Sequence, residues 1–241
     1  MLSEDGPERW ARRWDAAVPQ QPLVWDQGLA LTDGVSLRAY DLEGELLWIA
    51  DRDGFRDAGD AGAITTVSGG GAIARVSDGR FVAELMGAGL CVVDVTSRTI
   101  HPLEGQVGVR SSFAIPEIAG SGRCVAAGPG REIGNGVWTW RVVACRLDGD
   151  VLWEHRLETK PLGVIADAAG TVLVWSSPDK EDWAKYRHWY ELSRECLVHA
   201  IDPSGERRWT WMAPGPLTGN LAIGGEGEVY AAAEGRLWAL S

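Results

Sequence analysis

The chain has 241 residues, 45% of them hydrophobic, and a formal net charge of −11 at pH 7. That length can bury a large core, as one all-β domain or two small ones, and the acidic balance repels phosphate backbones and anionic lipid, so neither nucleic acid nor a membrane surface is expected as a partner. No apolar run is long enough to span a bilayer, and the acidic opening MLSEDGPERW lacks the apolar stretch of a secretory signal.

Taken along the chain, one spacing recurs. GPERW (Gly6 to Trp10) is followed by GELLW (Gly44 to Trp48), GDVLW (Gly149 to Trp153) and GERRW (Gly205 to Trp209). Short β-prone runs with a small residue at a fixed place precede three of these: LRAYDLEG (37–44), VVACRLDG (142–149) and VHAIDPSG (198–205). Each reads as a hairpin in which Gly takes a positive-φ position closed to branched residues. LCVVDVTS (90–97) is a further copy, with His101 where Trp is expected. The chain ends in RLWALS, an inner run whose hairpin partner would be the N-terminal DGPERWARRW. From Trp10 the slot recurs after 38, 53, 52 and 56 residues, and 42 more return around the termini to Trp10.

Five similar units therefore use the whole chain, which predicts an all-β fold: a single five-bladed β-propeller over 1–241, closed by pairing a strand near 8–15 with one near 236–241. The expected blades are 22–50, 72–103, 113–157, 163–212, and 220–241 completed by 8–15. The slot tryptophans are expected to pack between blades.

GEVYAAAEGRLWAL (residues 227–240), LRAYDLEGELLW and VHAIDPSGERRW resemble the repeats of the pyrroloquinoline-quinone-like (quinoprotein-type) propellers. The resemblance covers most of the chain and implies the propeller architecture. The quinone-binding members are longer, eight-bladed chains with a calcium site and often adjacent cysteines. None of that stands in this sequence, so no quinone is expected.

Placed on such blades, three insertions fall on one face: 51–62, 128–138 and 177–195. Long loops on a rigid scaffold are where binding sites are built. The segment 177–195 has helical character, and Trp183, Tyr186, Trp189 and Tyr190 share one face of that helix. They either seal the insertion onto the propeller or form a wall for a ligand. The expected ligand-binding residues are Trp183, Trp189, Tyr190, Arg131, Trp138 and Phe55, and His188 with Tyr186 would serve as acid and base in an enzyme. Asp51, Asp53 and Asp57 are the oxygen donors of a calcium loop, should one exist; solvated acid is the competing reading.

Signatures of nucleophilic hydrolases, zinc sites and dinucleotide binding are missing. Cys91, Cys124, Cys145 and Cys196 lie 33, 21 and 51 residues apart with no C-x-x-C, which fits reduced thiols in a cytoplasm. Two functions remain open. One is a cytoplasmic recognition module for a small ligand or partner protein. The other is a cofactor-independent enzyme of specialised metabolism with a Trp/Tyr/His-lined pocket at the channel mouth. Lectin-like sugar binding is weaker, because the long loops differ from blade to blade.

Overall fold

The computed structural model describes residues 22–32, 35–57, 73–77, 79–85, 88–103, 115–119, 122–134, 137–176, 196–215, 217, 221–225 and 227–240. Every regular element among them is a β-strand, and the strands form five antiparallel sheets. The chain divides into two compact units, residues 1–102 and 103–241. The expected strand 8–15 and the segment 177–195 lie outside the described residues.

In the first unit, β1 (Leu23–Trp25), β2 (Gly28–Thr32), β3 (Leu37–Tyr40), β4 (Leu46–Asp51) and β5 (Gly54–Asp57) form one sheet in sequence order. β6 (Ile73–Ser77), β7 (Arg80–Leu85), β8 (Gly89–Asp94) and β9 (Thr99–Pro102) form the next. An aromatic cluster joins them. Trp25 meets Trp48 and Phe81 edge-on, with ring centroids 6.2 and 5.7 Å away, and all three rings are buried. Such pairs add directional attraction to the area they bury. β5 departs from expectation, since the sequence reads as a connection from Asp51 onwards. Instead Arg52 and Asp53 make a two-residue turn and the chain doubles back. Phe55 then lies on Trp48, centroids 5.5 Å apart, which gives the added strand a core contact.

The second unit holds three sheets. The first is β10 (Ile115–Ala119), β11 (Arg123–Gly134), β12 (Val137–Arg146) and β13 (Val151–Leu157). The second is β14 (Pro161–Ala166), β15 (Val172–Ser176), β16 (Cys196–Ile201) and β17 (Arg207–Ala213). The third is β18 (Ala222–Ile223), β19 (Val229–Ala233) and β20 (Arg236–Leu240). Val125, Ala127, Val142, Ala144, Val172 and Val174 fill the layer between the first two sheets. In the stretch 128–138, expected as a loop, residues 128–134 and 137–138 are strand: β11 and β12 stay paired to Gly134↔Val137, with register shifts around Glu132. Val137 to Trp140 are β-prone residues, and the bulges absorb the extra length.

The three described copies of Gly-x-x-x-Trp share a single structural meaning. Asp41, Arg146 and Asp202 each donate their N–H to the carbonyl four residues on, at 2.9 Å in every case. Gly44, Gly149 and Gly205 then take φ of 84°, 100° and 93°. The tryptophan that follows sits opposite an alanine: Ala39↔Trp48, Ala144↔Trp153 and Ala200↔Trp209, each just before a register shift. The methyl leaves room for an indole to lie across it. The glycine serves a second purpose, because a Cβ on Gly205 would stand 2.8 Å from Cγ of Trp153, in the preceding sheet. One glycine thus closes its own turn and receives the tryptophan of the sheet before. Val92↔His101 occupies the same slot in the second sheet, but His101 is exposed and bonds Thr99 at 2.9 Å instead of packing as an indole would.

Gly227 separates these two demands, for it has φ 89° in a similar turn and no atom within 4 Å of a built Cβ. Gly227→Ala is expected to cost about 1 kcal/mol through φ alone. Gly205→Ala is expected to cost about 2 kcal/mol more, by overpacking against Trp153. Urea unfolding of both variants checks this, and equal losses would remove the proposed role of the contact.

Candidate functional site

The most informative edge of the second unit lies where β13 passes to β14. β13 ends at Leu157, opposite Trp140 in the extended β11–β12 hairpin. β14 begins at Pro161, opposite Ser176, the residue from which 177–195 departs. The chain returns at Cys196, held opposite Ala213. The three-residue connector 158–160 therefore brings the hairpin extension and both roots of the insertion to one edge.

The connector is tightly built. Thr159 is buried and its hydroxyl donates to Oγ of the buried Ser176 at 2.8 Å. The Cys196 thiol donates to the Ser176 carbonyl at 3.3 Å, and burial pushes that thiol up to about 12, so it is inert as a nucleophile. Lys160 lies half-buried with Nζ 5.9 Å from the centre of the Trp140 ring. Burial lowers its ammonium to about 8. In the same layer His199 is buried with Nδ1 2.9 Å from the Thr210 hydroxyl. Desolvation, then the charge of Arg207, lowers its pKa and favours the neutral ring. The edge thus carries a partly buried indole and a half-buried amine, above a buried pair of hydroxyls bonded to each other.

The residues expected from sequence fall differently. Trp183, Tyr186, His188, Trp189 and Tyr190 lie outside the described residues. Arg131 and Trp138 stand on the hairpin extension, where Trp138 pairs with Glu132 across the strands. Phe55 belongs to the first unit, held between Trp48 and the Arg98 guanidinium, which lies 5.5 Å from its centroid. The acidic residues beside it face cations of the chain itself. Asp51 is paired with Arg56, Asp57 with Arg98 at 2.8 Å, and Asp53 with Arg52 at 3.5 Å. No group of three or more His, Cys, Asp or Glu among the described residues could hold a metal ion.

Two groups escaped the sequence reading. Lys160 sits in a short connector with no motif around it. Glu84 looks like the polar position of an alternating strand, yet it is only 6% exposed, and its Oε2 has no hydrogen-bond partner among the described residues. Burial raises its carboxyl to about 8.

No protein-family model matches the chain, and no curated protein does. Solved structures do. BamB from Moraxella catarrhalis, a β-propeller of PQQ-like repeats, aligns over 95% of this chain with a TM-score of 0.55 and 16% identity. The chain spans 60% of the length of that protein. A gluconolactonase from Xanthomonas campestris aligns over 88% of this chain and 80% of its own, at TM-score 0.30 and 12% identity. The calcium-binding protein regucalcin from Agrobacterium tumefaciens aligns over 88% and 81%, at TM-score 0.31 and 13% identity. The last two superpose too loosely to add to the first. The likeness to BamB bears on fold alone, and the fold is of the β-propeller type.

The Glu84 carboxyl makes stability depend on pH in a defined direction. Its folded pKa of about 8 lies above the ordinary 4.5, so its contribution is complete below pH 4.5 and is lost as pH rises through 8. Glu84→Gln is expected to remove about 3 kcal/mol of that fall between pH 5 and pH 8. Chemical denaturation of both proteins across this range measures it, and parallel curves would show that Glu84 ionises normally.

Proposed function

We propose that the chain is a five-bladed β-propeller whose last blade takes its outer strand from residues 8–15, and that it is a cytoplasmic recognition module. Its ligand, a small molecule or a segment of a partner protein, binds at the edge of the second unit where 177–195 is rooted. Closure is supported by the third sheet of that unit, in which β20 is an edge strand among the described residues, with Leu237 73% exposed. The other sheets have four or five strands. The run that holds Ala239 matches those that hold Ala39, Ala144 and Ala200, and Gly6 to Trp10 repeats the Gly-x-x-x-Trp spacing that follows each of those three. Four buried cysteines, none of them in a disulfide, suit a reducing compartment.

The observation that carries the binding reading is the connector 158–160, which ties the long hairpin and the roots of the insertion to one rigid edge with Trp140 and Lys160 on it. Recognition needs a preformed apolar face with a few placed polar groups, and this edge supplies them. Catalysis is the second reading, favoured by the low pKa of the Lys160 amine. His188 and Tyr186 would then be its acid and base.

Deleting residues 1–16 is expected to destabilise the fold by about 3 kcal/mol, through a bared strand edge and the loss of Trp10. A truncated protein that melts with the full chain rules the closure out. Replacing 179–194 with a short Gly-Ser turn is expected to leave the melting temperature within a few degrees, since surface loop length costs little. Small molecules that raise the melting temperature of the intact chain should no longer do so in this variant. Retention of every such shift would move the site elsewhere. His188→Ala and Trp189→Ala divide the readings: turnover lost with binding kept means catalysis, binding lost means recognition.

A further inference from the structure

The four cysteines are not equally placed. Cys91 stands opposite Ala83 and Pro102, and Cys196 opposite Ala213. Cys124 and Cys145 stand opposite each other, on the neighbouring antiparallel strands β11 and β12. Residues so paired put their side chains on one face of the sheet, with Cβ atoms about 4.5–5.5 Å apart. A disulfide joins Cβ atoms about 3.5–4.5 Å apart and Cα atoms about 4.4–6.8 Å apart, and both kinds of antiparallel pair meet the second span. The two side chains therefore need to approach by only about 1 Å to bond.

Contacts across the pair are already made. The Cys145 thiol donates to the Cys124 carbonyl at 3.7 Å. A hydrogen bond from the Cys124 side chain favours the Cys145 thiolate and lowers that pKa, against burial and the charge of Asp148. Burial drives Cys91 and Cys196 the other way, to about 11 and about 12. The backbone can supply the approach. Cys145 lies at the register shift against β13, between Ala144 and Cys145, where the ladder is locally disrupted. Both thiols are buried, but the hairpin ladder ends one step away at Arg123↔Arg146, and Arg146 is exposed. A local opening at that end admits a small reagent.

We propose that Cys124 and Cys145 are a reversible redox pair, which small disulfides oxidise to a cross-strand bond that clips the foot of the β11–β12 hairpin. The Cys145 thiolate attacks one sulfur of the small disulfide, whose S–S bond breaks and whose other half leaves as a thiolate. The Cys124 sulfur, having given up its proton, then attacks the Cys145 sulfur of the mixed disulfide and expels the second half. The protons end on the two released thiols, so the cysteines are oxidised as the small disulfide is reduced. Excess small thiol runs both steps backwards. The clip encloses residues 124–145, the hairpin that carries Trp140 and the extension to Gly134. It fixes or frees that hairpin whether or not a ligand binds there.

The test incubates the full chain with bis(2-hydroxyethyl) disulfide, quenches in acid, alkylates in denaturant with N-ethylmaleimide and digests with trypsin. Cleavage after arginine puts Cys124 in peptide 124–131 and Cys145 in peptide 142–146. These two are expected to appear joined and to separate after dithiothreitol. Cys91 and Cys196 are expected to oxidise at least about ten-fold more slowly, as buried thiols with no cysteine opposite them. In concentrated urea, where the strand pairing is lost, that selectivity should vanish. The oxidised protein should still melt cooperatively. Four alkylated thiols in the folded chain overturn the proposal, and so do joined peptides of any other cysteine pair at a comparable rate. A bonded pair in a chain that no longer melts cooperatively also overturns it, because the bond then belongs to an unfolded state.

Discussion

The contact of an indole with the backbone of a glycine in the next sheet is the constraint on which the second unit is arranged. Trp153 can lie against Gly205 because Gly205 has no side chain, and Gly205 has none because its turn requires φ 93°. Opposite Trp153 the strand carries Ala144, whose methyl leaves room for the ring. His155, two residues on, has Nδ1 3.2 Å from the Gly205 carbonyl and pins the same turn. Alanine, glycine and tryptophan are thus one device, and any two without the third would leave either a void or a clash. Trp153 keeps its Nε1 buried with no partner among the described residues, a cost that close packing must offset.

Where that packing is complete the chain is chemically quiet. The four thiols are buried and none forms a disulfide, and burial raises Cys91 to about 11. Acidic side chains in the turns are spent on backbone amides: Asp41 Oδ1 receives the N–H of Glu43 and Glu45, and Asp202 Oδ1 those of Ser204 and Glu206. Chemistry is left to the places where the strand pattern stops. The connector 158–160 is one, and it is bonded to Ser176, from which the chain departs for its longest insertion.

Much of the fold was legible because its punctuation is local. Gly44, Gly149 and Gly205 mark turns whose geometry only glycine meets easily, and the runs before them alternate, so strand ends follow to within a few residues. β5 was not legible, since its support is Phe55 lying on Trp48, a contact that no local pattern announces. The hairpin to Gly134 was missed for a related reason: glycines and a proline at 128–134 read as loop until Val137 to Arg146 are seen to pair with them. Of the site, the insertion stood out by its length and Arg131 and Trp138 by their place beside it. Lys160 and Glu84 did not, because what makes them unusual is desolvation, and desolvation comes from neighbours remote in sequence.

The glycine that receives Trp153 lies 52 residues further along the chain. Ribosomes add about 5–20 residues per second, so the indole on β13 waits roughly 3–10 s for its cover during synthesis. Over that interval a nascent chain presents an apolar ring beside an incomplete sheet, a surface that chaperones bind and that neighbouring nascent chains can join. The same repeat that gives the finished protein its order therefore makes codon speed between Trp153 and Gly205 a determinant of how much of it reaches the folded state.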